Sequence, residues 1–320
     1  MHFLISCCIA GLLAASVTDS TSTEVQTIFS QIQDFKKKFP KGHQESVQEL
    51  YQSDEKIRLV SYNILHSHFD RQHPLEHRWD LRKKGVKELI EHMDGDIYLF
   101  QECSRKQKNW IWEHFSKDYL IVAGTNAYFE NLPVLLRKSR FELLDTFNLC
   151  ADNSERVRYV SIRDKKTLKE LHLMNVHTEF QDIEKRQSTF DRIVLTYKRL
   201  NSPKNFVVGG DMNAFDPYVT HKNLPFWDGN LCHQKLVQSG LFDLKEGVLF
   251  GLFGPFGTYT NSSPNETTPF LGEGVFGIYL DRFYGAENIQ PLFFGVEKGK
   301  VDGEFPSDHM PIFTEFLLKG

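Results

Sequence analysis

Where apolar runs stop in this 320-residue chain, side chains able to bind cations or move protons recur. "LVSYN" ends on Asn63, "DIYLFQE" on Glu102, "HLMNVH" on His177, and "VVGGDMN" on Asp211 and Asn213. "YLDR" carries Asp281, and "FPSDHMPIF" sets Asp308 and His309 just ahead of a last apolar run. Polar groups at the ends of buried segments are costly unless they converge on a shared partner. In "NFVVGGDMNAF", strand side chains alternate between faces, so Asp211 and Asn213 are expected on one side. Two oxygen ligands so placed suit a hard divalent cation. An ordinary turn accounts for the same residues, because Gly, Asp and Asn are favoured there.

The elements that must position these groups read as strands and helices in mixture. "KIRLVSYNIL" reads as a strand, and "DIYLFQE" has the continuous apolar run of a strand covered on both faces. Between them, Leu81, Val86, Leu89, Ile90 and Met93 predict one apolar face of a helix in "RWDLRKKGVKELIEHM". "PVLLRKSRFELLDTF", "RYVSIRD", "ELHLMNVHTEF", "NFVVGGDMN", "GIYLDRFYG" and "MPIFTEFLL" continue the strand series, with helical patterns over 182–200 and 230–239. Val25, Ile28, Phe29, Ile32, Phe35 and Phe39 predict an N-terminal helix ending near Pro40. No linker or repeat interrupts the pattern, which predicts one mixed α and β domain over 56–320, preceded by a helical segment over 19–55. Residues 247–277, rich in Gly and Phe without periodicity, read as a long loop, and such loops in compact domains are commonly functional.

A hydrophobic fraction of 40% and a charged fraction of 25% are globular values, and the length is ample for a sizeable core. The net charge of −4 argues against the broad basic footprint of a tight, sequence-independent duplex binder. "MHFLISCCIAGLLAAS" is too short an apolar run for a membrane span and is followed by small residues, so residues 1–18 read as a signal peptide and the chain as secreted. Cys7 and Cys8 would leave with that leader, and Cys103, Cys150 and Cys232 would then allow at most one disulfide. Export would make "NSS" at Asn261 and "NET" at Asn265 glycosylation sites.

Taken in order, "SYN", "FQE", "NVH", "GDMN", "YLDR" and "SDHMP" resemble the endonuclease/exonuclease/phosphatase superfamily, the DNase I-like metallophosphoesterases. The resemblance runs over residues 56–318 and implies a four-layer sandwich, two packed β-sheets flanked by helices, with the site at one rim. It also implies hydrolysis of a phosphoester with Mg²⁺ or Mn²⁺. By the same resemblance, Glu102 is the principal metal carboxylate, helped by Asn63, and Asp308 completes the metal shell. Asp211 and Asn213 orient the attacking water and support the metal. His309 activates or holds the nucleophile, kept in place by Asp281, while His177 binds a phosphoryl oxygen or protonates the leaving group. Arg156 or Arg158 is the arginine that contacts phosphate.

These residue types fit that chemistry on physical grounds as well. A phosphoester repels nucleophiles through its negative oxygens, so a hard cation must offset the developing charge. Oxygen ligands favour Mg²⁺ or Mn²⁺ over zinc, and a His beside a carboxylate has a raised pKa and a fixed orientation. His66, His68, His73 and His77 read as a solvated loop near the site rather than a zinc site. Tyr279 and Leu280 stand where inositol polyphosphate phosphatases of the superfamily carry Trp-Cys, which argues against an inositol phosphate substrate. Small phosphodiesters, phospholipid head groups and exposed single strands remain as substrates. The apolar "GVLFGLFGPFGTYT" could touch a membrane or pack on the core. A monomer is expected, and the alternative to an enzyme is a non-catalytic binding protein on the same fold.

Overall fold

A computed structural model describes residues 50, 52–72, 78–124, 132–151, 154–214, 230–254, 257–259, 279–297, 301 and 305–319. The expected signal peptide, nearly all of the N-terminal helical segment, both sequons, His73 and His77 lie outside the described residues, as does the side chain of Arg156. The chain divides into two compact units, Met1–Asp54 and Glu55–Gly320, and the second carries the fold below.

Two βαβ units form its centre. In one, β1 (Ile57–Asn63) leads through α1 (Trp79–Met93) to β2 (Ile97–Gln101), parallel to β1. In the other, β7 (Glu170–His177) leads through α3 (Ile183–Arg199) to β8 (Phe206–Asp211), parallel to β7. Between them come α2 (Arg105–Phe115), β3 (Tyr119–Val122), β4 (Val134–Arg137), β5 (Phe141–Ala151) and β6 (Ser154–Asp164). Then follow α4 (Asn230–Gln238), β9 (Phe242–Asp243), β10 (Gly251–Phe253), β11 (Asp281–Gly285), β12 (Ile289–Val296) and β13 (Ile312–Leu318). The strands make a seven-stranded sheet, ordered β10-β12-β13-β1-β2-β4-β3, and a six-stranded sheet, ordered β5-β6-β7-β8-β11-β9.

Alternation of side chains explains the layers. Ile57, Leu59, Ile97 and Leu99 of one sheet pack with Leu171, Leu173, Val207 and Phe283 of the other, forming the core between sheets. The opposite faces are covered by helices. Val60, Tyr62, Tyr98 and Phe100 meet α1 and α2, and Met174, Val176, Phe206 and Val208 meet α3 and α4. The result is two mixed sheets, face to face, with helices outside. No described helix is long and apolar enough to cross a membrane.

Along the inner face, residue type changes toward one rim. On β1 the series is Ile57, Leu59, Ser61, Asn63; on β7 it is Leu171, Leu173, Asn175, His177; on β8 it is Val207, Gly209, Asp211. Ser61, Gln101 and Asn175 form a buried amide and hydroxyl layer, with Gln101 Nε2 donating to Asn175 Oδ1 at 2.7 Å and to Ser61 Oγ at 3.1 Å. The two glycines of "VVGGDMN" serve this approach to the rim. A Cβ on Gly209 would sit 2.4 Å from the Phe283 ring, and Gly210, at φ 140°, would put one 2.0 Å from the Val176 carbonyl oxygen.

Several expectations change. "PVLLRKSRFELLDTF" is two strands, β4 and β5, with a turn between. Leu81 is 62% exposed; Trp79 and Arg82 are buried on that turn of α1 in its place. The apparent loop over 247–277 contains β10, which pairs in parallel with β12. Helix α2 has no counterpart among the expected elements; it starts at a reciprocal cap, Gln107 N to Ser104 Oγ at 3.2 Å and Ser104 N to Gln107 Oε1 at 3.0 Å. Cys103 and Cys232 are buried in separate apolar clusters.

Candidate active site

At the polar rim, His177, Asp211 and Asp281 stand in register on neighbouring strands β7, β8 and β11. Asp281 begins its strand instead of ending one. Because β11 runs antiparallel to β8, its first residue reaches the same rim. The other sheet supplies Asn63 at the end of β1 and Glu102 just past β2. Glu102 has φ 54°, a left-handed backbone uncommon for a residue with a side chain and frequent at functional turns.

Asn63 ties the two carboxylates together. Its Nδ2 donates to Glu102 Oε1 and to Asp211 Oδ2, both at 3.0 Å, while its Oδ1 accepts the Leu65 N–H at 3.1 Å. Asn63 therefore turns its nitrogen, not a ligand oxygen, toward the carboxylates. The second Glu102 oxygen accepts the His66 N–H at 3.0 Å. His66 leads into a short 3-10 helix, Ser67–Gln72.

Asp211 does two things at once. Its Oδ1 accepts the Asn213 N–H at 2.9 Å, closing a turn, and its Oδ2 faces the site. The turn reading and the ligand reading thus describe the two oxygens of one carboxylate. Asn213 lies past the strand end at φ 43°, and its Nδ2 donates to the Thr178 carbonyl at 2.9 Å. Strand alternation therefore does not carry it to the side of Asp211, and it pins the loop after β7 instead.

Asp211 Oδ2 is the hub of the site. His177 Nε2 and His309 Nε2 each lie 3.6 Å from it, and His177 Nε2 is also 3.9 Å from Glu102 Oε1. His309 Nδ1 bonds Asp281 Oδ2 at 2.8 Å. An ionised carboxylate only accepts, so Nδ1 carries the proton and Nε2 is turned to Asp211. Burial disfavours the His309 cation, but Asp281 and Asp211 outweigh it and hold its pKa well above the ordinary imidazole value.

Thr258 and Tyr259, in the stretch read from sequence as loop, support this pair. Thr258 Oγ1 accepts the N–H groups of Leu280 at 3.0 Å and Asp281 at 3.2 Å, and its carbonyl accepts the Met310 N–H at 2.7 Å. The Tyr259 ring meets His309 edge-on at 5.1 Å. No motif marked either residue.

Among the described residues, two groups have the geometry to hold a cation: Glu102, His177 and Asp211, and Asp211, Asp281 and His309. Their carboxylate-rich donors fit a hard divalent ion. Asp308 belongs to neither group; it accepts from Ser307 Oγ at 3.3 Å. Arg158 is buried on β6 with Nε donating to the Leu132 carbonyl at 2.9 Å.

The fold is one found in a known family. The chain belongs to the Endonuclease/Exonuclease/phosphatase family, whose pattern it matches over residues 60–309. An uncharacterized protein of Acanthamoeba polyphaga mimivirus is 23% identical over 294 residues, spanning 81% of this chain and 100% of that protein. Among solved structures, a family member from Bacteroides thetaiotaomicron superposes with a TM-score of 0.67 at 18% identity, over 83% of this chain and 98% of that one. A mannosyl-6-phosphatase of the same bacterium gives 0.65 at 18% identity, over 82% and 100%. These structural likenesses establish the shared fold.

Proposed function

We propose that this chain is an exported, Mg²⁺- or Mn²⁺-dependent phosphoester hydrolase acting on small phosphodiesters, lipid head groups or single strands. The observation that carries the reading is the sharing of Asp211 between two histidine–carboxylate clusters. A divalent cation held by the carboxylates of Glu102 and Asp211 would neutralise charge on the phosphoryl oxygens. His309, cationic beside its two carboxylates, holds a proton at Nε2 for a phosphoryl oxygen. After losing it, Nε2 becomes the base that accepts a proton from the attacking water, with Asp281 fixing Nδ1–H throughout. His177 Nε2 stands on the other side of Asp211, where it can contact a phosphoryl oxygen or return a proton to the leaving group. Phosphorus gains the water oxygen and loses the leaving oxygen.

Support for export comes from the apolar leader and the two sequons; secretion from a eukaryotic host should remove about the first 15–20 residues, as expected of a signal peptide. The central test is a panel of phosphomonoesters and phosphodiesters with plasmid DNA, RNA and sphingomyelin vesicles. EDTA should abolish turnover and Mg²⁺ or Mn²⁺ restore it. No turnover of any member with either metal present would leave the chain as a binding protein on this fold.

A further inference from the structure

Two buried arginines occupy equivalent places in the two βαβ units. Arg82 is the fourth residue of α1 and Arg186 the fourth of α3. Neither pairs with a carboxylate side chain among the described residues; both spend their guanidinium groups on backbone carbonyls. Arg82 Nη1 donates to the Ile64 carbonyl and, at 3.0 Å, to that of Pro306, while Nη2 donates to the Leu65 carbonyl. Arg186 Nε donates to the Glu179 carbonyl at 2.9 Å and Nη2 to the Phe180 carbonyl at 2.8 Å.

The carbonyls they hold belong to the loops that build the site. Leu65 and His66 supply the N–H groups that fix Asn63 Oδ1 and Glu102 Oε2. Pro306 precedes Ser307, whose hydroxyl donates to the Asn63 carbonyl at 2.7 Å, and then His309. Arg82 thereby joins the loop after β1 to the loop that carries His309. On the other sheet, Glu179 and Phe180 follow Thr178, which accepts Asn213 Nδ2 and donates its N–H to the Asp211 carbonyl at 3.1 Å.

Each arrangement leaves one N–H buried without a partner among the described residues, Nε of Arg82 and Nη1 of Arg186. Unpaired buried donors are destabilising, so packing alone is a poor reason for a guanidinium at either place. A lysine, with one compact ammonium on a flexible stem, cannot reproduce a planar fork spanning separate carbonyls.

We propose that Arg82 and Arg186 are paired positioning residues, one for each βαβ unit, which hold the loops that set Glu102, Asp211, His177 and His309 in working geometry. The proposal rests on the hydrolase reading above. Arg82→Lys and Arg186→Lys are compared in the full chain with Leu89→Ala, a core substitution in α1. Each lysine variant should lose about 10–100-fold in kcat with KM changed less than about threefold, the behaviour of groups acting through a ligand or catalytic residue. Leu89→Ala should lower the thermal midpoint and leave kcat near wild type. Amide hydrogen exchange should quicken at 64–66 and 306–309 in Arg82→Lys, and at 178–180 in Arg186→Lys. If a lysine variant does not fold, Arg82→Gln or Arg186→Gln takes its place.

Folded variants with wild-type kcat, or an equal kcat loss in Leu89→Ala, would overturn the proposal. A wild type that hydrolyses no phosphoester would sink the hydrolase reading instead. Hydrogen exchange then decides the clamps, and unchanged protection in those loops overturns them.

Discussion

The two ends of the central strands carry charge in opposite ways. Around the N-terminal ends of β1 and β2, four cations, Lys56, Arg58, Arg137 and Arg140, meet four anions, Asp94, Asp96, Asp164 and Glu315. Arg58 reaches Glu315 at 2.5 Å and Lys56 reaches it at 3.5 Å. Arg137 meets Asp94 at 2.6 Å and Asp96 at 3.2 Å, and Arg140 meets Asp96 at 3.0 Å and Asp164 at 3.4 Å. At the other end, Asp211 and Asp281 are each 1% exposed and neither pairs with a Lys or Arg among the described residues; their partners are imidazoles and amides. A balanced cluster is complete in itself and serves the fold. Buried carboxylates facing histidines and amides, with no Lys or Arg among the described residues, are costly until a cation joins them, and that imbalance singles out this rim as the candidate site.

The strongest way to break the contrast is Asp211→Ala. Its loss should lower turnover by orders of magnitude and abolish the rise in thermal midpoint that the proposed function expects of the wild type with Mg²⁺. That rise corresponds to about 2.7 kcal/mol at a hundred times the dissociation constant. A variant still stabilised by Mg²⁺ to the same extent would show that the hub carboxylate does not bind the cation. At the balanced end, Arg140→Ala should reverse the pattern. It takes the arginine from buried Asp164, while Asp96 keeps Arg137, and should destabilise by about 2–3 kcal/mol, below the range for fully buried pairs because Asp96 is partly exposed. Turnover of the folded fraction should stay near wild type; a large fall in kcat would mean that the two ends are coupled.

Titration should separate the ends more finely. In the metal-free protein, His309 has a pKa raised above its unfolded value of about 6.5, so the native state binds more protons than the unfolded state between those two values. Stability from protonation of His309 is complete below about pH 6.5 and is lost as pH rises through its native pKa. Denaturant unfolding at stepped pH should show that decline in the wild type and a flatter curve in His309→Gln. Equal slopes in both proteins would show that the Asp281–His309 pair does not store stability in protonation.

Much of the candidate site's placement was legible from local sequence. Glu102, His177, Asp211, Asp281 and His309 all reach one rim: Glu102, His177 and Asp211 at or just past the ends of strands, and Asp281 and His309 at or just before the starts of strands running the other way. Apolar runs such as "DIYLF" and "NFVV" marked strands buried on both faces, and the helix starts at 79, 183 and 230 fell close to the periodic patterns. Leu81 escaped because a helical face has soft edges, and the larger Trp79 and Arg82 took the buried turn. The strand β10 escaped because three residues in a Gly-rich stretch show no period.

The sequence by itself determined the chemistry available: which carboxylates and imidazoles end which strands, and that hard-cation and proton-transfer chemistry suits them. Tertiary structure alone decided how each polar atom is used. Asn63 offers its nitrogen because Leu65 N–H takes its oxygen, and Asn213 leaves the strand face because Asp211 closes a turn beneath it. Thr258 supports Asp281, and Arg82 joins loops separated by more than two hundred residues. Residue type sets what a side chain can donate or accept and is fixed locally, whereas the partner is whichever group the packing of two sheets brings within hydrogen-bond reach.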